Sequence, residues 1–176
     1  MKDFELKFSG LTVGKHQFNY EATKMFFESF QGRGLESELI HDGKVAFDVE
    51  LDKKENLLVF DIIYDGKVNV DCDVCLDQLD VEVSGDSRII GKYSDEDVWG
   101  EEDVIYIPSK DHKVDLSEIF YQLIHLSLPA KTVHEEGKCD PVMLEKLKEY
   151  NGGEVSSKEE SDPRWNTLKD LFKDKN

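Results

Sequence analysis

The sequence predicts an α+β fold, in which an antiparallel β-meander or a partly closed barrel carries C-terminal helices packed on it. Apolar and polar residues alternate through most of residues 35–93, which is the pattern of half-buried strands. After residue 115 the apolar residues follow helical spacing instead. A third observation is Cys72-x-x-Cys75, followed far along the chain by His134 and Cys139. This spacing predicts one zinc ion that holds the two parts of the fold together.

Length and charge limit the class of protein. A chain of 176 residues suits one domain and buries about 70% of its unfolded surface without help from a metal or disulfide. The net charge of −17 disfavours binding to nucleic acid, because Lys and Arg supply most of the affinity for phosphates, and it favours a basic partner. The first residues form no signal peptide and no apolar run is long enough to span a membrane, so we expect a cytoplasmic protein.

The strands are predicted from alternation and turn residues. Residues 3–8 and 16–20 alternate as two strands, and Met25, Phe26 and Phe30 predict a short helix within residues 22–30. Asp42-Gly43 and Asp65-Gly66 are predicted to be two-residue hairpin turns, and residues 53–56 a further turn. The Cys-x-x-Cys is expected at a turn between two antiparallel strands, the position of a zinc knuckle.

The C-terminal half is predicted to begin with a short strand at residues 104–107 and then to become helical. Asp115 is the expected N-cap of a helix that ends at Pro129, and Asp140-Pro141 opens a second helix. The predicted organisation is a single β-rich domain with C-terminal helices over residues 1–152, a polar linker over 153–162 and a short amphipathic helix over 163–176. That last helix either docks on the domain's own surface or becomes ordered on a partner.

Cys72, Cys75, His134 and Cys139 are the predicted metal ligands. Four protein ligands close the shell of a tetrahedral zinc ion, so the predicted site is structural and not catalytic. Asp140 or a water molecule is the alternative fourth ligand. A thioredoxin-like redox role requires a helix after the Cys-x-x-Cys, whereas residues 79–83 alternate as a strand. Three inert thiols are the remaining alternative, and His112 and His125 are expected to be ordinary surface or core histidines.

Two acidic runs stand out, residues 71–86 and 94–103, each with six acidic residues and no basic one. Each is either a solvated face or a docking surface for a basic protein. The chain contains no Gly-rich phosphate loop, no His-Glu-x-x-His and no Gly-x-Ser-x-Gly. We therefore expect no enzymatic activity and no small-molecule substrate.

The motifs together resemble the YceD-like family, the large ribosomal RNA subunit accumulation proteins, from about Leu35 onward. The residues that carry the resemblance are Cys72-x-x-Cys75-Leu76, Val114-Asp115-Leu116, Leu126-Ser127-Leu128-Pro129, the cysteine at position 139, and Asp162-Pro163-Arg164-Trp165-x-x-Leu168. Many relatives carry more cysteines in the second metal-binding segment, where this chain has only Cys139 with His134 nearby.

The resemblance implies a bacterial cytoplasmic protein that is needed for synthesis, processing or stability of 23S ribosomal RNA. It also implies metal binding, possible nucleic-acid binding and no established enzymatic activity. Together with the charge, it favours a factor that contacts a basic ribosomal protein or a pre-ribosomal particle. Direct, zinc-dependent binding to ribosomal RNA is the alternative, and a thiol oxidoreductase is the third hypothesis.

Overall fold

The computed structural model describes residues 2–30, 39–94 and 103–150. By compactness the chain divides into residues 1–139 and 140–176. In the described part of the first unit, a 3-10 turn is followed by nine regular elements: β1 (Glu5–Lys7), β2 (Gly14–Ala22), α1 (Lys24–Glu28), β3 (Ile40–Lys53), β4 (Leu57–Asp71), β5 (Gln78–Tyr93), β6 (Val104–Ile107), β7 (Lys113–Asp115) and α2 (Ser117–Ser127). The second unit contains α3 (Pro141–Tyr150), none of whose residues is buried.

The main sheet has five strands in the order β2-β3-β4-β5-β6. Strands β2 to β5 form the predicted antiparallel meander, and β6 pairs parallel to β5. The sheet is therefore mixed and is not closed, so the α+β class is confirmed whereas the barrel is not. β1 and β7 pair antiparallel as a separate two-stranded sheet.

Both Asp-Gly hairpin predictions are wrong. Asp42-Gly43 lies inside β3 and Asp65-Gly66 lies inside β4, strands of 14 and 15 residues. Gly66 is opposite Val45, and a Cβ at Gly66 would be 2.2 Å from the Lys44 carbonyl oxygen. These glycines are thus explained by close approach of neighbouring backbones within the sheet. The predicted turn at residues 53–56 is confirmed, since it joins β3 to β4.

One face of the sheet packs on the core. The inward side chains of β3 and β4 are almost fully buried, and Phe120 of α2 stacks on Phe47 with ring centroids 4.0 Å apart. The Tyr64 hydroxyl also donates to the Leu123 carbonyl oxygen over 3.1 Å. The apolar stripe predicted for α2 is confirmed, and it packs this helix on the sheet.

Two local predictions need correction. In α1, Met25 is 73% exposed, and Phe27 is buried beside Phe26. Asp115 ends β7, and its carboxylate accepts the Ser117 N–H over 2.9 Å, while Leu116 is the N-cap of α2. Burial opposes ionisation of Asp115, but hydrogen bonds from the Ser117 hydroxyl and N–H lower its pKa.

The predicted linker at 153–162 and terminal helix at 163–176 lie outside the described residues.

We expect Gly66→Ala to lower the free energy of unfolding by about 2 kcal/mol or more, because the new methyl group would meet backbone atoms that cannot move without breaking the β3–β4 pairing. Urea unfolding measures the change. The control is Gly10→Ala, where a Cβ meets nothing within 4 Å, and its expected effect is within about 0.5 kcal/mol. Equal effects of the two substitutions would contradict the close approach.

Candidate metal centre

Cys72 and Cys75 lie in the loop that joins β4 to β5. The loop closes through a 2.9 Å hydrogen bond from the Cys72 N–H to the Asp77 carbonyl oxygen, and a second 2.9 Å bond runs from the Leu76 N–H to the Cys72 carbonyl oxygen. Leu76 adopts a left-handed backbone conformation, with φ of 64°. The Val74 N–H also lies 3.4 Å from the Cys72 sulfur. The predicted turn between antiparallel strands is confirmed, and this placement differs from the helix start of a thioredoxin-like site.

The segment after α2 is attached to this loop by three hydrogen bonds. The Asp73 N–H donates to the Thr132 carbonyl oxygen over 2.8 Å, and the Thr132 N–H donates to the Asp73 carboxylate over 2.7 Å. The Thr132 hydroxyl donates to the Asp71 carbonyl oxygen over 3.1 Å. Because these bonds fix residue 132 on the loop, they bring His134 within reach of the two cysteines.

The four predicted residues come together. The ligand atoms of Cys72, Cys75, His134 and Cys139 all lie within 4.8 Å of one another. The Cys75 sulfur is 3.4 Å from Nδ1 of His134, and the Cys139 sulfur is 3.9 Å from both that nitrogen and the Cys72 sulfur. Sulfur ligands about 2.3 Å from a tetrahedral ion are about 3.8 Å apart, so these separations suit one four-coordinate ion.

Burial differs between the two pairs of ligands. Cys72 and Cys75 are buried, whereas His134 and Cys139 are partly exposed. The backbone turns between His134 and Cys139 at Gly137, which has φ of 83°. Glycine adopts this left-handed conformation readily because it has no side chain. The four groups are therefore close enough to bind a metal ion, and two of them are accessible from solvent.

The protonation of the thiols reflects their mutual proximity. Burial opposes ionisation of Cys72, but hydrogen bonds from the Cys75, Val74 and His134 backbone and from the His134 side chain lower its pKa to about 6. Burial, hydrogen bonds to Cys72 and Cys75, and the charges of those two residues raise the pKa of Cys139 to about 11. Without a cation, ionisation of one thiol thus disfavours ionisation of the other, and a divalent ion removes that conflict.

Sequence reasoning missed the residues that join the two segments. Asp73 and Thr132 contribute no ligand atom, and their pairing depends on strand lengths that the sequence does not reveal. The only available signal was the position of Asp73 between the two cysteines. Asp140, the alternative fourth ligand, accepts the Val142 N–H over 3.0 Å at the start of α3. His125, which was expected to be an ordinary histidine, has its Nδ1 3.0 Å from the Tyr121 carbonyl oxygen.

The structure describes one of the two acidic runs and leaves out most of the other. Most of residues 94–103 lies outside the described residues. In residues 71–86, several carboxylates have local partners: Asp71 pairs with His41 at 2.9 Å, Asp80 accepts from Asn69 over 2.9 Å, and Glu82 pairs with Lys67 at 3.1 Å. Much of this run is therefore a paired, solvated strand face.

The fold and the cluster define a class: a small β-rich protein in which a hairpin loop and a distant segment bring together three thiols and one imidazole that lie close enough to bind a metal ion. Residues 60–172 match the family model described as "Large ribosomal RNA subunit accumulation protein YceD". This match covers more than half of the chain, so the chain belongs to the YceD family, although the match begins later than Leu35. Comparisons with curated proteins and with solved structures each give no match.

The family's name describes the accumulation of an RNA and refers to no catalysed reaction. The helices that the structure describes are too short or too polar to span a lipid bilayer.

We expect Asp73→Ala to weaken metal affinity by about 10-fold to 100-fold although it removes no ligand, because the Thr132 N–H loses its partner and His134 loses its fixed position. Competition with a chromophoric zinc chelator measures the affinity. Asp77→Ala is the matched control in the same loop, since the Asp77 carbonyl oxygen that accepts the Cys72 N–H stays in place. An equal affinity for the two variants would contradict a positioning role of Asp73.

Proposed function

We propose that this protein is a non-enzymatic, cytoplasmic factor for the synthesis, processing or stability of 23S ribosomal RNA during biogenesis of the large ribosomal subunit. The match of residues 60–172 to the YceD family carries the proposal. The net charge of −17 supports contact with a basic ribosomal protein, or with a pre-ribosomal particle that displays one. Before it binds ribosomal RNA, a basic ribosomal protein exposes positive charge that no phosphate neutralises. An acidic surface is suited to bind that protein until the RNA takes its place.

We further propose that Cys72, Cys75, His134 and Cys139 bind a single structural zinc ion. Three thiols and one imidazole are ligands that zinc prefers, and the sulfur separations suit its tetrahedral geometry. Four protein ligands leave no position for a reactive water, so the role of zinc is mechanical. When bound, the ion would join the tip of the β4–β5 hairpin to the segment that follows α2.

Direct binding to ribosomal RNA is the second candidate, and one observation favours it. A shallow depression of about 490 Å³ is lined by Lys24, Lys44 and Lys67, with His41, and also by the carboxylates of Asp42 and Asp80. Lys44 and Lys67 are directly opposite each other on neighbouring strands, a like-charge arrangement that is unfavourable without an anion nearby. Because Glu21 and Glu82 already pair with these lysines at 3.0 and 3.1 Å, we rank RNA below a basic protein.

Gel-shift titrations with 23S RNA fragments distinguish the two candidates. If RNA is the ligand, binding weakens steeply with salt, and Lys44→Gln/Lys67→Gln reduces the salt dependence by about one to two charges. If the partner is a basic protein instead, we expect no binding of the RNA fragments near physiological salt.

We expect about one zinc ion per chain in untagged protein purified under reducing conditions, and none in Cys139→Ser/His134→Ala. Loss of the ion should lower the free energy of unfolding by about 4 kcal/mol, the contribution of a ligand present at about a thousand times its Kd. Elemental analysis and thermal unfolding measure the two quantities. His112→Ala, at an exposed histidine outside the cluster, should change neither. A folded wild-type protein without zinc would contradict the proposal.

In cells that lack the gene, we expect the ratio of 23S to 16S ribosomal RNA to fall, because the large subunit alone loses its factor. The wild-type gene should restore the ratio, and Cys139→Ser/His134→Ala should restore it less well. Quantitative RNA analysis of the three strains provides the measurement. An unchanged ratio after deletion, or an equal fall of both RNAs, would refute the role in the large subunit.

A further inference from the structure

The outward face of β2 to β5 carries side chains that do not contact the core. On β4 these are the odd-numbered residues from 59 to 71, and on β5 the even-numbered residues from 78 to 92. Near the middle of this face Ile63 is 61% exposed. Asp48 of β3 and Asp86 of β5 are directly opposite Ile63 on its two sides. Opposite neighbours have Cβ atoms about 5 Å apart, so two carboxylates flank one exposed apolar side chain.

The carboxylates of this face fall into two groups. Some are neutralised locally: Glu50 pairs with Lys15 at 2.5 Å, Asp61 with Arg88 at 2.5 Å and Glu82 with Lys67 at 3.1 Å. Asp48, Asp65 and Asp86 pair with no cation within the described ranges, and Asp48 has only the amide of Asn19 as a hydrogen-bond partner. These three carboxylates lie on positions next to Ile63. Asp42 and Asp80, farther along the same face, also have no cation partner within the described ranges; Asp42 accepts the Gly43 N–H and Asp80 accepts from the Asn69 amide. Of the paired carboxylates, Asp61 is also next to Ile63 along β4.

A shallow depression of about 690 Å³ runs between β4 and β5 at the same place. Ile63, Asp65, Ser84 and Asp86 line it, and the Asp61–Arg88 ion pair closes one end. An exposed apolar side chain, unpaired carboxylates and a depression therefore coincide on one unpartnered sheet face. A lysine or arginine side chain fits all three, since its aliphatic stem packs on an apolar surface while its charged group contacts carboxylates.

We propose that this face, centred on Ile63, Asp65 and Asp86, docks an extended Lys/Arg-rich segment of a basic protein partner. One basic side chain lies in the depression over Ile63 and donates to Asp65 and Asp86, and further basic side chains approach Asp48. The inference rests on the proposed function, since it identifies the surface that would hold the basic ribosomal protein. The surface differs from either acidic run, because Asp48, Asp65 and Asp86 come from three different strands and only Asp86 belongs to one of the runs.

Charge argues against a segment of this chain as the occupant. Residues 31–38 carry one basic and two acidic residues, and residues 95–102 carry five acidic residues and no basic one. Residues 151–176 carry five basic and six acidic residues. None of these stretches has a net positive charge, so complementarity favours a separate, basic molecule. The same carboxylates would repel the phosphates of RNA.

The test compares two variants with the same change in charge. Asp65→Asn/Asp86→Asn neutralises two unpaired carboxylates, and Glu50→Gln/Glu82→Gln neutralises two paired carboxylates of the same face. Each full-length protein is immobilised and incubated with the protein fraction extracted from purified large ribosomal subunits. Mass spectrometry identifies the bound proteins and quantifies each against its input. Ile63→Ser tests the apolar contribution in parallel.

We expect the wild-type chain to retain one or a few ribosomal proteins, Asp65→Asn/Asp86→Asn to retain at least about tenfold less of them, and Glu50→Gln/Glu82→Gln to stay within about twofold of wild type. Asp65→Asn/Asp86→Asn should melt at the same temperature as wild type or above it, because the substitutions relieve repulsion. Equal losses in the two double variants, or no loss in either, would overturn the proposed surface.

Two further outcomes also overturn it. A lowered melting temperature for Asp65→Asn/Asp86→Asn would mean that this chain itself contacts these carboxylates. Weaker binding of 23S RNA fragments by that variant would place RNA on this face. Failure of the surface is distinguishable from failure of the proposed function: if wild type retains ribosomal proteins and restores the 23S RNA ratio while Asp65→Asn/Asp86→Asn does both equally well, only the docking face is wrong. If wild type does neither, both proposals fail.

Discussion

The attachment of the segment around residues 132–139 to the β4–β5 loop is the constraint on which the rest of the site depends. Cys72 and Cys139 are 67 positions apart in the chain, and bringing such distant residues together costs conformational entropy. The reciprocal hydrogen bonds between Asp73 and Thr132 offset part of that cost before any metal binds. The side chains of the three cysteines and of His134 then need only small movements to surround a metal ion, because the backbone already holds them close together.

The same hairpin explains how a strongly acidic chain folds. Its inward side chains are apolar and build the core with α2, so the acidic residues of the hairpin are confined to its outward face and its loop. There, several carboxylates are paired across strands, which limits repulsion within the sheet. Three carboxylates near Ile63 keep their charge free, and the fold holds them on neighbouring strands. A rigid sheet can present such a pattern at a lower entropic cost than a flexible acidic loop.

The sequence predicts the structure correctly where residue type and the spacing of apolar residues indicate the same element. The alternation of β3 and β4 was readable, and so was the placement of Cys72 and Cys75 at a turn. The two Asp-Gly turns do not form, and one signal against the second is local: Tyr64, Gly66 and Val68 continue a single alternation through the expected turn. A local turn motif competes here with the pairing of two long strands, and the pairing determines the structure.

Other features lay beyond the sequence because they depend on long-range pairing. The parallel alignment of β6 with β5 and the pairing of β1 with β7 join segments whose neighbours cannot be read from periodicity. Asp73 and Thr132 have no shared motif. The four candidate ligands could be predicted because thiols and imidazoles are rare in this chain and chemically distinctive, whereas the hydrogen bonds that position them use common residue types.

X-ray absorption spectroscopy at the zinc edge, on protein isolated without added metal, tests the central claim most directly. The account predicts three sulfur neighbours at about 2.3 Å and one nitrogen at about 2.0 Å, with an imidazole signal from His134. A shell of two sulfurs with oxygen neighbours, or no bound zinc, would contradict it. Absence of zinc would mean that hydrogen bonds alone hold the hairpin loop to the segment after α2. Two sulfurs with oxygen neighbours would mean that the ion is not held by the four proposed ligands.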